Sequence, residues 1–285
     1  MAEFLVFGKS GQVATELARD ARCSCFGRDR VDLGTPGACA ALIAELKPKA
    51  VINAAAYTAV DRAEEEEELA TTINGEAPAA MARACAALDV PLVHISTDYV
   101  LDGQGTDPHH PDARPAPLNA YGRSKLKGEQ GITTSGARHA ILRTSWVFSA
   151  HGANFLKTML RLAETRDALT VVGDQIGGPT SARAIAAACL RIAEALTDPN
   201  SPRSGIFHFS GSPDVSWADF AREIFAQASL EVTVTDIPTS DYPTPATRPL
   251  NSRMDCTSLS EVFGIPRPDW RADVAEVLQE LNTNP

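Results

Sequence analysis

No apolar run in this sequence approaches the ~18 residues that a bilayer span needs. No basic segment precedes the first apolar residues, because residues 1–5 run straight into a strand-like stretch. These absences exclude a helical membrane span and predict no export signal. No two cysteines stand in C-x-x-C spacing: Cys23, Cys25, Cys39, Cys85, Cys189 and Cys256 are scattered, several of them in apolar runs. That distribution predicts reduced, mostly buried thiols in the cytoplasm rather than a disulfide framework. Positive charge is in deficit, with 26 Lys and Arg against 36 Asp and Glu and a net charge of -10. The balance argues against nucleic acid or an anionic membrane as the main partner, while leaving local binding of an anionic small molecule open. Internal repeats and low-complexity tracts are absent too. His109 and His110 have no ligand-spaced partner in the Gly-, Pro-, Asp- and His-rich segment 102–117, so a surface loop is the preferred reading over a metal site.

What is present is a chain of 285 residues, 44% hydrophobic and 22% charged, the profile of a soluble globular protein large enough for one main α/β domain and a smaller lobe. Strand-like and helix-like stretches alternate through the first half. Strands are predicted at 3–7, 24–26, 50–56, 91–95 and 139–148. Helices are predicted at 15–21, 36–46, 76–88, from Tyr121 to about Gly131, and at 154–164. The alternation predicts a doubly wound parallel sheet. The domain boundaries expected are 1–150 for the sheet domain, with 168–196 returning to it, and 151–285 for a smaller lobe over the C-terminal edge. The acidic run Glu64 to Glu68 is expected to be a solvated first helical turn with no chemistry.

Between the first strand and first helix stands Gly8-Lys9-Ser10-Gly11-Gln12-Val13-Ala14. Glycines there permit a tight turn and let backbone N–H groups approach a pyrophosphate at a helix N-terminus. The spacing differs from G-x-G-x-x-G, so an ordinary βα turn is the alternative. The second strand ends near Arg28, where a dinucleotide fold reads the adenosine ribose. An arginine there suits a 2′-phosphate and leans toward NADPH over NADH, although Asp29 is adjacent. Asp32 and Leu33 follow and could border the adenine, with helix capping as the alternative for Asp32. The third strand finishes in Ala54, Ala55 and Ala56, small enough for a flat cofactor to lie against the backbone, and leads into Tyr57 and Thr58. The fourth leads into Thr97 and Asp98, a hydroxyl and a carboxylate facing the same crevice.

Tyr121 and Lys125 lie four residues apart, one helical turn on one face. A free phenol has a pKa near ~10 and rarely exchanges a proton at neutral pH; tuning it to ~7 needs roughly 4 kcal/mol. One ammonium ~4 Å away at an effective dielectric of ~20 could supply about that, before any desolvation cost. Lys125 is therefore expected to lower the pKa of Tyr121. Taken alone, Y-x-x-x-K arises by chance in many helices, as an exposed lysine beside a half-buried tyrosine.

With these residues in place the chain resembles the extended short-chain dehydrogenase/reductases, and within them the dTDP-4-dehydrorhamnose reductase family. The resemblance runs almost end to end through FGKSGQV, NAAAYTAVDRAE, HISTDYVLDG, PLNAYGRSKLKGE, ILRTSWVF, TMLRLA, VVGDQIGGPT and YPTPATRPLNSRM. It implies a Rossmann-type dinucleotide-binding fold with a substrate-binding C-terminal lobe. It implies reduction of the 4-keto group of dTDP-4-dehydro-L-rhamnose by NADPH or NADH, with Thr97, Tyr121 and Lys125 as the catalytic set and Tyr121 as proton donor. Gly11, Gln12, Val13, Asp32, Leu33, Ala56, Tyr57 and Thr58 would line the cofactor site, and Asp98 and Trp146 would contact the sugar nucleotide. For Trp146 core packing is the alternative. Arg248 and Arg253 are candidates for the diphosphate, or surface salt bridges. A homodimer is a possible assembly.

Two departures stand out. Ala14 replaces the third glycine of the family turn. Some relatives hold Mg²⁺ between subunits through three glutamates; Glu16 and Glu280 match two, but Arg183 stands at the third, so a salt bridge is expected in place of the metal. A 4,6-dehydratase would need a glutamate base after Thr-Asp, where this chain has Tyr99. A 4-epimerase, which would consume no net NAD(P)H, and a non-catalytic regulatory subunit on the same scaffold remain as alternatives.

Overall fold

Phe4, Leu5, Val6 and Phe7 are all buried, and they alternate between two cores. Phe4 and Val6 join one apolar cluster and Leu5 and Phe7 another. A strand whose side chains point alternately to opposite faces is apolar throughout only when both faces are covered. The computed structural model describes residues 3–198 and 204–283, so Met1 and Ala2 of the expected opening stretch lie outside the described residues. Strands β1 (Phe4–Phe7), β2 (Cys23–Phe26), β3 (Ala50–Asn53), β4 (Leu92–Thr97) and β5 (His139–Thr144) join a sixth, Gly205–His208, in one sheet. Their spatial order is sixth, β5, β4, β3, β1, β2, and every neighbouring pair is parallel. All their C-terminal ends therefore lie along one edge. The chain steps outward from β1 to β2 and then returns past β1 to β3, which makes the β1/β3 boundary the switch point where such sheets open a ligand crevice.

Helices α1 (Gln12–Leu17), α2 (Pro36–Leu46), α3 (Glu67–Thr71), α4 (Ala77–Leu88) and α5 (Ala120–Thr133) belong to this half, and α6 (Phe155–Ala163) opens the next. A helix α7 (Ala182–Leu196) then covers the face of the sheet shared with α1, through Ile185, Cys189 and Ile192. On the other face α2, α4 and α5 contribute Leu42, Ile43, Met81 and Ile132.

The segment 168–196 divides. Ala168–Val172 pairs with Thr233–Ile237 away from the main sheet, whereas α7 packs on the sheet. A separate core around Phe148, Leu156, Phe220 and Trp270 holds α6, α8 (Trp217–Gln227) and α10 (Trp270–Thr283) together, while α9 (Thr257–Phe263) leans back on the main sheet through Leu259 and Phe263. Above the sheet edge a three-stranded ribbon aligns Val215–Ser216, Ile176–Gly177 and Asn251–Ser252. Among the described residues no helix is long and apolar enough to cross a membrane.

Element boundaries differ from the sequence reading where neighbours decide them. The third strand stops at Asn53 rather than Ala56, because β1 ends at Phe7, its register partner. The first helix starts at Gln12 rather than Thr15. The fifth strand breaks after Thr144, where Trp146 turns into the left-handed region at φ 49°.

Candidate active site

The glycine turn comes first along the edge. Gly8 has φ +122°, and a Cβ there would stand 3.3 Å from the Ala54 backbone, so only glycine lets β1 exit this close to β3. At Gly11 a Cβ would meet nothing within 4 Å, and α1 begins with no side-chain cap. The first-turn N–H groups are thus left without a side-chain cap beside the exposed Ser10, a place that suits a cofactor diphosphate. The Gln12 amide oxygen instead accepts from Ser149 Oγ (2.7 Å) and Asn154 Nδ2 (2.9 Å), tying the turn to the second half of the chain. Val13 packs in the core.

Past β2, Arg28 is exposed, and the neighbouring Asp29 is engaged by Lys9 Nζ at 2.9 Å. Asp32 caps its own turn, its Oδ1 accepting from Gly34 N at 2.9 Å. The Leu33 side chain, like that of Val13, is buried among core residues, on the α2 face. Ala54, Ala55 and Ala56 are half-buried just beyond β3, with Thr58 exposed. Tyr57 N donates to Asn74 Oδ1 (2.8 Å), and Asn74 Nδ2 donates to Tyr57 O (3.0 Å) and to Ser124 Oγ (2.9 Å) on α5. Asn74 thereby couples the two sides of the crevice.

The acidic run is not simply solvated. Glu64 Oε1 accepts from Ala120 N at the start of α5, Glu66 Oε2 from the Tyr57 hydroxyl (2.6 Å), and Glu67 pairs with Arg123 (2.8 Å). Asn119 caps α5, its Oδ1 accepting from Gly122 N at 2.8 Å. Gly122 is glycine because a Cβ there would lie 2.2 Å from Tyr99 O. That close approach sets the Tyr121 turn of α5 against the end of β4.

Thr97 stands near enough to the Tyr121 hydroxyl to pull the phenol pKa down against burial. Thr97 Oγ1 also lies 3.0 Å from Asp98 Oδ1, and Ser252 Oγ donates to Asp98 Oδ2 at 2.5 Å. Burial lifts the Asp98 carboxyl to about 6, against the hydrogen bonds from Ser252 and Thr97. Lys125, fully buried, donates from Nζ to Ile95 O (2.7 Å) and lies 3.3 Å from His94 Nε2. Burial lowers its pKa to about 8, with Glu129 pulling the other way.

The expectation that Lys125 draws the Tyr121 pKa down is corrected here. Burial raises the phenol above its usual value, Thr97 lowers it in part, Asp98 raises it further, and Lys125 is not among the causes.

Trp146, at the end of β5, stacks on Trp217 with ring centroids 3.6 Å apart at 11° and rests against Gly177. Trp217 Nε1 donates to Gln175 Oε1 at 3.2 Å. Arg248 Nη2 pairs with Asp61 Oδ2 (2.8 Å) and Arg253 Nη1 donates to Asn251 Oδ1 (3.0 Å).

Sequence reasoning passed over the buried pair beneath the site. Arg143 on β5 bonds Glu129 on α5 through Nε (2.9 Å) and Nη2 (2.7 Å), and Ser96 on β4 donates to the same carboxylate at 2.6 Å. An arginine inside an apolar strand was the available signal, since a fully buried charge requires a partner.

On the far side, Glu16, His151 and Glu280 bring ligand atoms within 4.8 Å of one another. Arg183 already bonds Glu280 (2.9 Å) and Glu276 (2.8 Å) and approaches Glu16 (3.6 Å), and Arg19 pairs with Glu16 and Glu280. Two guanidinium groups among these carboxylates fit an ion-paired cluster and do not fit a divalent cation.

The parallel sheet, its switch point and the glycine turn define a Rossmann-type reductase of the short-chain dehydrogenase/reductase class. Residues 2–283 match the family described as RmlD substrate binding domain. A dTDP-4-dehydrorhamnose reductase of Sinorhizobium fredii is 43% identical over 97% of this chain and 96% of its own. Among solved structures, a dTDP-4-dehydrorhamnose reductase of Clostridium acetobutylicum superposes with a TM-score of 0.91 at 34% identity, covering 98% of this chain and 99% of that one. The Bacillus anthracis reductase, solved in complex with NADP, superposes equally well (0.91) at 31% identity, covering 98% and 100%. The chain belongs to the dTDP-4-dehydrorhamnose reductase family.

Proposed function

We propose that the protein reduces the 4-keto group of dTDP-4-dehydro-L-rhamnose to dTDP-L-rhamnose, drawing on NADPH or NADH. The observation that carries this reading is the placing of buried Thr97 and Asp98 at the end of β4 against the Tyr121 turn of α5, where Thr97 acts on the phenol, in a chain of this family. The bound nicotinamide cofactor supplies a hydride to C4 of the sugar. Tyr121 gives its proton to the former carbonyl oxygen, and the Thr97 hydroxyl hydrogen-bonds that oxygen as charge develops on it. A raised phenol pKa serves this direction. The acid must arrive protonated, and an alkoxide is a far stronger base than a phenolate. Gly8, Ser10, Gly11, Gln12 and Val13 form the turn under the diphosphate, with Ala54, Ala55, Ala56, Tyr57 and Thr58 beside the nicotinamide half. Lys125 holds the nicotinamide ribose. Arg28 favours NADPH, because Asp29 is occupied by Lys9. Asp98 and Trp146 hold the sugar and base, while Arg248 and Arg253 serve the diphosphate.

Purified protein with NADPH and the 4-keto sugar nucleotide should lose absorbance at 340 nm in step with product formation. Binding of NADPH without consumption would leave a regulatory subunit instead.

A further inference from the structure

Lys125 is the end of a buried chain whose other members the proposed reaction does not use. His94, wholly buried on β4, stands between Lys125 and Asn53. Its Nε2 is 3.3 Å from Lys125 Nζ and its Nδ1 is 3.0 Å from Asn53 Nδ2. Asn53 Oδ1 accepts from Ala55 N at 3.2 Å, in the loop assigned above to the cofactor. Burial, and then the charge of Lys125, hold His94 well below its usual pKa, so the ring is neutral with one N–H and one acceptor nitrogen.

The protons in this chain are not independent. With Ala55 N–H on the Asn53 oxygen, the amide must offer N–H to His94 Nδ1. The ring proton then sits on Nε2 and points at Lys125. A neutral lysine can accept that proton's bond while donating to Ile95 O. An ammonium cannot, because it has no acceptor. Protonating Lys125 requires the ring to carry its proton on Nδ1, which turns the Asn53 amide and takes the acceptor from Ala55 N–H.

We propose that His94 is a positioning residue for Lys125: its tautomer couples the protonation of the lysine to the Asn53 amide and so to the backbone at Ala55. This rests on the reading of Lys125 as a ribose-holding residue only for its consequence in turnover; the coupling is a property of the free protein. The other charged or titratable groups around Lys125 are Glu129, held by Arg143 and Ser96, and Tyr121 with Asp98 at the mouth. Arg123 and Lys127 meet Glu67 and Glu76 on exposed surfaces of α5.

The test is an NMR titration of the protein without cofactor or substrate, from about pH 6 to about pH 10, bracketing the lysine. Lysine labelled with ¹³C reports Lys125, assigned by its loss in Lys125→Arg, and ¹⁵N-labelled histidine reports the His94 tautomer. The ring proton should move from Nδ1 to Nε2 as Lys125 deprotonates, and the Ala55 amide signal should shift with the same midpoint. A single His94 tautomer across the lysine's titration would overturn the coupling. In His94→Leu, whose side chain can pass no proton from Lys125 to Asn53, the Ala55 amide signal should hold still through the lysine's titration. An Ala55 shift that persisted there would also overturn it. NADPH consumption is scored separately, so a tautomer change without turnover sinks the functional reading alone, and turnover without a tautomer change sinks the coupling alone.

Discussion

Replacing Lys125 by methionine should make the protein more stable at neutral pH while abolishing its turnover. The lysine titrates at about 8 in the fold, against ~10.4 in an unfolded chain, and ~2.4 units correspond to about 3 kcal/mol. The unfolded chain binds the extra proton between these two values, so this lysine's contribution to stability rises with pH across that window. Below pH ~8 its full penalty is present, and above ~10.4 it is gone. Methionine keeps the buried stem but gives up the bond to Ile95 O (2.7 Å), a loss of about 1 kcal/mol. The variant should gain about 2 kcal/mol at pH 7 and lose that advantage by about pH 10. Urea unfolding of both proteins across this range measures it, and only their difference counts. Cys23 and Cys189, which burial pushes up to about 12, destabilise both proteins alike at high pH. A methionine variant less stable than wild type at pH 7 would mean that the fold compensates the buried amine, and the reasoning would fail.

Tyr121→Phe should cut turnover by ~10²- to ~10⁴-fold, the usual span for losing a general acid, and leave NADPH binding by fluorescence titration within about twofold, since the phenyl body stays; near-normal turnover would remove Tyr121 from the role of acid. Thr97→Val deletes the hydroxyl that bonds Asp98 and Tyr99 N and acts on Tyr121, and kcat should fall on the order of 10²-fold, with a kcat equal to wild type counting against any transition-state contact. Asp98→Asn tests the opposite sign of linkage. Its carboxyl is raised to about 6 from an unfolded ~3.9, so the folded state holds the extra proton between those values and stability is lost as pH rises through them, by about 3 kcal/mol. The stability difference between wild type and Asp98→Asn should move by that order between about pH 4 and about pH 6, and a flat difference in chemical unfolding would contradict it.

Much of the sheet was legible because its signals are local. Pro36 at the first helical turn and Lys47-Pro48 after the last fix α2 to the residue. The unbroken apolar run of β1 needs no partner to be read. What was not legible came from distant partners. The acidic run reads as a solvated turn until Ala120, Tyr57 and Arg123 arrive from elsewhere in the chain. Nothing local in Leu33 says whether its side chain faces adenine or core. The break at Trp146 has no residue signal either, since a bulky aromatic is a poor occupant of positive φ; the stack on Trp217 and the close pass over Gly177 hold it there. The Tyr121–Lys125 spacing was correct as a spacing. The effect assigned to it was not, because four residues fix an axial separation and say nothing of where the amine bonds.

That last failure bears on how the site works. Glu129 and Arg143 are as deeply buried as Lys125, yet three hydrogen bonds close their charges on each other and on Ser96. The groups at the mouth are treated differently: burial drives Asp98 up, Tyr121 up and Lys125 down, each toward its neutral form. In the proposed reduction the charge that appears is an alkoxide, and the proton that quenches it must already be on Tyr121. A neutral, water-poor mouth keeps it there. The cost falls afterwards, on a phenolate left where burial opposes it.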